Sequence, residues 1–303
     1  MDRGSLQEAS DGSVLFADIS GSTRLYETVG NAAALAAVGR CIGLMRSCSG
    51  AAQGRVVKTI GDEIMALFPS AEAALTAALD MQQCVAELPP VAGMPMAVHI
   101  GLHHGPILSD DAGDVFGDTV NVAARLAKLA ARGQIITSRD TVEHLSEGMR
   151  QLTRYLYPIQ VRGRELPVDL FEAVWQQTTE LTLLAPASPR SVLASLLTLR
   201  YRTDVAEMNV LSAPVTIGRD ASMTIVVTDR RASRYQATVE ARAGRYVLID
   251  RSSNGTHVTI DGEEEFIVRR DEFPLRGHGW ITFGQSAGFT DECIEFFVEV
   301  ERG

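Results

Sequence analysis

Two carboxylates stand where chemistry could occur. Asp18 ends the apolar run Val14-Leu15-Phe16-Ala17 and opens onto a turn of small residues, Ile19-Ser20-Gly21-Ser22-Thr23. Asp62 follows Gly61 in Val57-Lys58-Thr59-Ile60-Gly61-Asp62-Glu63. Each lies at the end or turn of a strand-like stretch. Carboxylates so placed can hold a pair of divalent cations over a nucleoside triphosphate. The turn after Asp18 runs into a helix, so its backbone N–H groups can meet phosphate oxygens. Taken singly, either aspartate could be a solvated turn residue; the surrounding elements and motifs decide.

Those elements alternate. Val14 to Ala17 reads as a buried strand, followed by a helix with Leu25, Val29 and Leu35 among its apolar positions. Arg55 to Asp62 and Glu63 to Phe68 read as two strands joined through Gly61. Ser70 is a good N-cap for an Ala-rich helix running to about Leu88, where Pro89-Pro90 stops it. Met96 to His103 alternates as a strand, Asp118 to Ala131 reads as a helix ended by Gly133, and Gln134 to Thr137 is a short strand. Strands alternating with helices indicate an α/β or α+β domain. Past residue 190 the texture changes to strands at Leu196–Tyr201, Pro214–Gly218, Ala237–Glu240, Tyr246–Ile249, Ile281–Phe283 and Ile294–Val300, separated by Gly, Asp and Asn turns. That is a β-sandwich pattern. The polar, proline-bearing stretch between the two textures is read as a linker. The expected division is therefore 13–175, a linker at 176–191, and 192–300.

The bulk properties fit two globular domains. The chain has 303 residues, 46% hydrophobic and 22% charged, which excludes a disordered polymer. A formal net charge of -10 argues against nucleic acid or an anionic membrane as partner. No apolar stretch stands out as a span of the ~20 residues a bilayer requires, and the first residues lack the form of a signal peptide, so a cytoplasmic location without membrane insertion is expected. Cys41, Cys48, Cys84 and Cys293 form no close pair and read as free thiols, the helical ones buried. His99, His103 and His104 read as satisfied strand histidines rather than a metal site.

Three motifs in order carry a resemblance to a family. Phe16-Ala17-Asp18-Ile19-Ser20-Gly21-Ser22-Thr23, Val57-Lys58-Thr59-Ile60-Gly61-Asp62-Glu63 and Asp114-Val115-Phe116-Gly117-Asp118-Thr119-Val120-Asn121-Val122-Ala123-Ala124-Arg125 resemble those of class III adenylyl cyclase catalytic domains. The resemblance implies an α+β domain with a ferredoxin-like βαββαβ core. It also implies two Mg²⁺ or Mn²⁺ ions per site, held by Asp18, Asp62 and Ile19, with Ser20, Gly21, Ser22 and Thr23 at the phosphates of ATP. Lys58 and Asp114 match the family's purine-recognition pair. A Lys donor and an Asp acceptor complement adenine, whereas guanine presents the reverse pattern and would leave polar groups unpaired. Asn121 and Arg125, four apart on a helix, match the ribose-orienting and transition-state residues. Arg162, with Arg164 as the alternative, takes the position of a late triphosphate-binding Lys. In the family the metal and base-recognition sets of one site come from two domains, so a homodimer is implied.

The second segment carries its own resemblance. Ile217-Gly218-Arg219, then Ala232-Ser233-Arg234-Tyr235-Gln236-Ala237, then Asp250-Arg251-Ser252-Ser253-Asn254-Gly255-Thr256 resemble the forkhead-associated (FHA) domain. The resemblance implies an all-β sandwich that binds a phosphothreonine, on a partner or on the chain itself, through Arg219, Ser233, Arg234, Ser253 and Asn254. Gln236 stands where that family usually has a structural His, which puts the rigidity of the binding loops in question.

Overall fold

The computed structural model describes residues 10–159, 166–176, 195–242, 245–263 and 265–300. The chain divides into two compact units, residues 1–161 with 165–177 and residues 162–164 with 178–303. The stretch expected as a linker, 176–191, lies outside the described residues beyond position 176. In the first, β1 (Ser10–Ile19) leads to α1 (Ser22–Ala51), β2 (Arg55–Ile60), β3 (Glu63–Phe68), α2 (Ala71–Ala86) and β4 (Val98–Ser109). There follow β5 (Val115–Phe116), α3 (Asp118–Leu129), β6 (Ile135–Ser138), α4 (Arg139–Glu143), α5 (Glu147–Arg150), β7 (Thr153–Ile159) and β8 (Val168–Ala173). The sheet order is β2-β3-β1-β4-β6-β8-β7, with β5 paired to β4. Its first four strands are antiparallel neighbours, so the βαββαβ order closes into the ferredoxin-like core the motifs imply.

The apolar run of β1 is continuous because both of its faces are covered. Leu15, Ala17 and Ile19 pack with Leu25, Val38 and Met45 of α1 and Leu75 and Met81 of α2. Val14 and Phe16 pack on the other side with Met65 of β3 and Ala123 and Ala127 of α3. By the two-residue period of a strand, Asp18 shares the side of Val14 and Phe16. Helix α3 reaches the sheet at Gly101, where an added Cβ would fall 1.9 Å from the Ala127 backbone nitrogen. Only glycine allows that approach.

Local signals set the boundaries. Ser70 accepts a hydrogen bond from the Ala73 N–H at 3.1 Å and caps α2. Gly61, at φ 64°, makes the β2–β3 turn. Helix α3 stops at Leu129, short of the expected Ala131, because Ala130 is already extended. Gly30 departs from helical geometry within α1 and marks a kink. By length and composition α1 is apolar enough to cross a bilayer, which differs from the sequence expectation. Yet Ala34, Ala37, Val38, Cys41, Met45 and Cys48 recur at helical spacing on one face and pack into this unit's core.

The second unit comprises β9 (Ser195–Tyr201), β10 (Asp204–Asn209), β11 (Val215–Gly218), β12 (Ile225–Val226), β13 (Ala237–Arg242), β14 (Arg245–Asp250), β15 (Thr256–Ile260), β16 (Glu265–Val268), β17 (Glu272–Leu275), β18 (His278–Phe283) and β19 (Ile294–Val300). They form two sheets, β10-β9-β19-β18-β15-β16 and β12-β11-β13-β14-β17. Leu197, Leu199, Ile281, Phe283 and Phe296 of the first sheet, and Ile217, Val239, Tyr246, Leu248 and Phe273 of the second, are buried. This is the all-β arrangement expected of the segment.

Candidate active site

Asp18 sits in a row across three strands. Its Cα pairs with Glu63 on β3 and with His99 on β4. Two acids opposite each other repel, and burial together with the Asp18 carboxylate pushes the Glu63 carboxyl up to about 7. Nearby Lys128 and His99 offset part of that rise, and Asp62 adds to it. The result is a pocket of negative charge around Asp18, Asp62 and Glu63. Asp62 occupies the β2–β3 turn beside Glu63.

The donor set suits divalent cations. Asp18 Oδ1 is buried and has no hydrogen-bond partner, an arrangement costly for a carboxylate unless a cation completes it. Among the described residues no group of three or more His, Cys, Asp or Glu side chains could hold a metal by itself. Two carboxylates supplemented by a backbone carbonyl and nucleotide phosphates are instead the usual holding of Mg²⁺. The turn expected to meet the phosphates adjoins Asp18. Gly21 takes a left-handed conformation as N-cap of α1, and no side chain caps that helix start. The Ser20 N–H donates to the Ala97 carbonyl at 2.9 Å. Arg132 donates to the Ser20 carbonyl at 3.1 Å, fixing the turn from outside.

Lys58 and Asp114 come together. The Lys58 ammonium donates to both carboxylate oxygens, at 3.0 and 3.1 Å. A register shift in β2 between Val56 and Lys58 sets the lysine's placement along the strand. Asp114 is held by its own turn, where Asp110 Oδ1 accepts the Asp114 N–H at 2.9 Å. The lysine holds the Asp114 carboxyl below the usual carboxylate range. Both side chains remain partly open to solvent, so their outer edges can still meet a ligand.

Helix α3 carries Asn121, exposed, and Arg125, half-buried, one turn apart. Asp18 and α3 thus share one side of the sheet. Arg162 lies outside the described residues, as does Arg164.

In the second unit, the loop after β11 meets the loop before β13. Arg219 and Asp220 donate backbone hydrogen bonds to the carbonyls of Ser233 and Arg234, both at 3.1 Å. Gly218 permits this, since a Cβ there would fall 2.0 Å from the Arg234 carbonyl oxygen. Arg219 Nε donates to the Ala232 carbonyl at 2.6 Å. The Ser253 N–H donates to Ser233 Oγ at 3.2 Å, and the Asn254 amide to the Arg231 carbonyl at 3.3 Å. All five expected phosphate-reading residues therefore belong to one loop cluster. Asp250 organises its far side, accepting from Ser252 Oγ, Thr256 Oγ1 and the Arg270 N–H.

The structure answers the question raised by Gln236. Buried, it accepts the Ser233 N–H at 2.7 Å and donates to Thr256 Oγ1 at 2.8 Å and the Gly255 carbonyl at 3.2 Å. It ties the two binding loops together. An amide offers both a donor and an acceptor, which a neutral imidazole also does. His99 likewise gains a sharper place than a satisfied strand residue, because its partners are Asp18 and Ser20. Strand alternation alone places His99 on β4 and does not reveal the β1 register that brings it there.

Comparison with known proteins identifies both segments. The model of the adenylate and guanylate cyclase catalytic domain matches residues 5–175, and that of the FHA domain matches residues 215–284. An uncharacterized protein of Mycobacterium tuberculosis is 34% identical over 119 residues, 39% of this chain and 29% of that protein. Putative adenylate cyclase 3 of Rhizobium meliloti is 29% identical over 174 residues, 51% of this chain and 29% of that protein. The chain thus spans under a third of the length of these relatives. A catalytic core of a rhodopsin-guanylyl cyclase with converted specificity, solved with ATPαS, superposes with a TM-score of 0.51 at 23% identity, over 56% of this chain and 98% of that one, and shows the shared fold. With the cyclase model spanning more than half its length, the chain belongs to the adenylate and guanylate cyclase catalytic domain family, joined here to an FHA domain.

Proposed function

We propose that this protein is an adenylate cyclase that converts ATP to 3′,5′-cyclic AMP and pyrophosphate as a homodimer. The Lys58–Asp114 pair carries the reading. Its ammonium can donate to adenine N1 while its carboxylate accepts from the exocyclic amine; guanine meets the opposite groups. The relative named as a putative adenylate cyclase supports the same choice.

In the reaction, the ribose 3′-hydroxyl passes its proton to water, and its oxygen bonds to the α-phosphorus as the bond from that phosphorus to the oxygen bridging to the β-phosphate breaks, releasing pyrophosphate. Asp18, Asp62 and the Ile19 carbonyl would hold two Mg²⁺ or Mn²⁺ ions, which supply charge neutralisation at the attacking oxygen and the leaving phosphates. Backbone and hydroxyl groups of Ser20, Gly21, Ser22 and Thr23 grip the triphosphate, helped by Arg162. Asn121 orients the ribose, and Arg125 stabilises the charge that grows on the α-phosphate. Each site combines the aspartates of one chain with Lys58, Asp114, Asn121 and Arg125 of the other. The FHA unit reads a phosphothreonine through Arg219, Ser233, Arg234, Ser253 and Asn254, localising or regulating the enzyme. A cytoplasmic site of action completes the reading.

The test is cyclisation by purified protein with Mn²⁺ and either ATP or GTP, products resolved by chromatography. Cyclic AMP from ATP, formed in clear preference to cyclic GMP from GTP, is expected. No cyclic nucleotide from either substrate would favour a cyclase-fold scaffold acting through its FHA unit, and a preference for GTP would refute the base-recognition argument.

A further inference from the structure

We infer that His99 is a positioning residue that ties the metal-binding carboxylate of Asp18 to the phosphate-binding turn. The inference rests on the reading of Asp18 as a metal ligand. His99 stands directly across from Asp18 in the β1–β4 register. Its Nε2 lies 3.4 Å from Asp18 Oδ2, and its Nδ1 is 3.0 Å from Ser20 Oγ. The imidazole is 14% exposed and the Asp18 side chain 23%, so neither is rinsed freely by water.

The Asp18 carboxylate sets the roles. Its oxygen facing Nε2 favours the ring's N–H on that nitrogen, which leaves Nδ1 to accept from the Ser20 hydroxyl. The ring faces Oδ2 at 3.4 Å, longer than a standard hydrogen bond, and Oδ1, buried and without a hydrogen-bond partner, is the oxygen left for a cation. A second hydrogen-bonding partner that orients a ligating carboxylate typically changes metal affinity by about 10–100-fold when removed. Because the same ring holds Ser20, a shift at the triphosphate turn is felt at the metal carboxylate.

The experiment measures Mn²⁺ binding to the full-length protein by electron paramagnetic resonance of free Mn²⁺, with a non-cyclisable ATP analogue present. His99→Leu should weaken Mn²⁺ binding about 10-fold. His99→Gln, which retains an N–H toward Asp18, should stay within about threefold of the native protein. Equal affinity in His99→Leu and native protein, while Asp18→Ala loses binding, would overturn the role of His99 alone. Unchanged affinity in Asp18→Ala would overturn the metal reading and the His99 role with it. Should His99→Leu fail to fold, long-range proton–nitrogen spectra of the native protein decide. An N–H on Nε2 supports the role, and a neutral ring protonated on Nδ1 overturns it.

Discussion

Lys58 and Asp114, 56 positions apart in the chain, meet with the ammonium 3.0 Å from one carboxylate oxygen and 3.1 Å from the other. Each group of the pair fixes the other's direction. Partly exposed pairs add little to stability. On the proposed reading, removing one member strands a polar edge of adenine. Lys58→Ala should lower kcat/KM for ATP by about 10–100-fold, the equivalent of ~1–3 kcal/mol, and lower that for GTP less. Steady-state kinetics with both nucleotides check this; an unchanged ATP-to-GTP ratio would count against the pair.

Gln236 makes a second prediction. Truncation to Ala removes the bridge between the Ser233 and Gly255–Thr256 loops and leaves buried polar groups unmet, at a cost of about 1–3 kcal/mol. Thermal melting of the second unit should fall, and titration calorimetry with a phosphothreonine peptide should show weaker binding. Gln236→His should retain most of both, because imidazole also supplies one donor and one acceptor. Full stability in Gln236→Ala would show that the loops are held elsewhere.

The thiols of Cys41 and Cys48 give a third. Burial pushes them up to about 11 and about 12 respectively. Both folded values exceed the unfolded value near 9.0, so the stability they add is full below that pH and is lost as pH climbs toward 11–12. At pH 8 only on the order of one in a thousand Cys41 side chains is thiolate, the reactive form. Alkylation followed by peptide mass spectrometry should leave both unlabelled in native protein and label both in denaturant. Rapid native labelling would contradict their burial.

Phosphate reading can be tested at Arg219. Its guanidinium is aimed by the Ala232 carbonyl toward the loop cluster. Arg219→Ala should weaken phosphothreonine-peptide binding about tenfold or more, in keeping with loss of a charge-assisted contact of ~1.5–3 kcal/mol. Equal affinity by calorimetry would leave this unit an FHA fold that does not read phosphate.

Much of this was legible in the sequence because the relevant signals are local. The Val14–Ala17 run, the Ser70 cap and the Gly61 turn each act within a few residues, and their elements stand where those signals place them. The short pieces were less legible. Helices α4 and α5 have too few residues to show a period, and β10, β12 and β15 to β17 are brief strands whose pairing depends on distant partners. The same reason hid His99 and Gln236. A histidine on an alternating strand looks the same whether it faces an alanine or Asp18, and only cross-strand register distinguishes the cases. The motifs named candidate members of the site but not the row Glu63–Asp18–His99, which is a property of the sheet.

On the proposed reading, each active site is completed by two chains. Asp18→Ala and Arg125→Ala should each be inactive alone. Mixed and allowed to exchange partners, they should recover about a quarter of native cyclic AMP synthesis, since about half of randomly re-paired dimers are mixed and each of those regains one intact site of two. Mixed dimers verified by mass spectrometry that make no cyclic AMP from ATP would contradict the account.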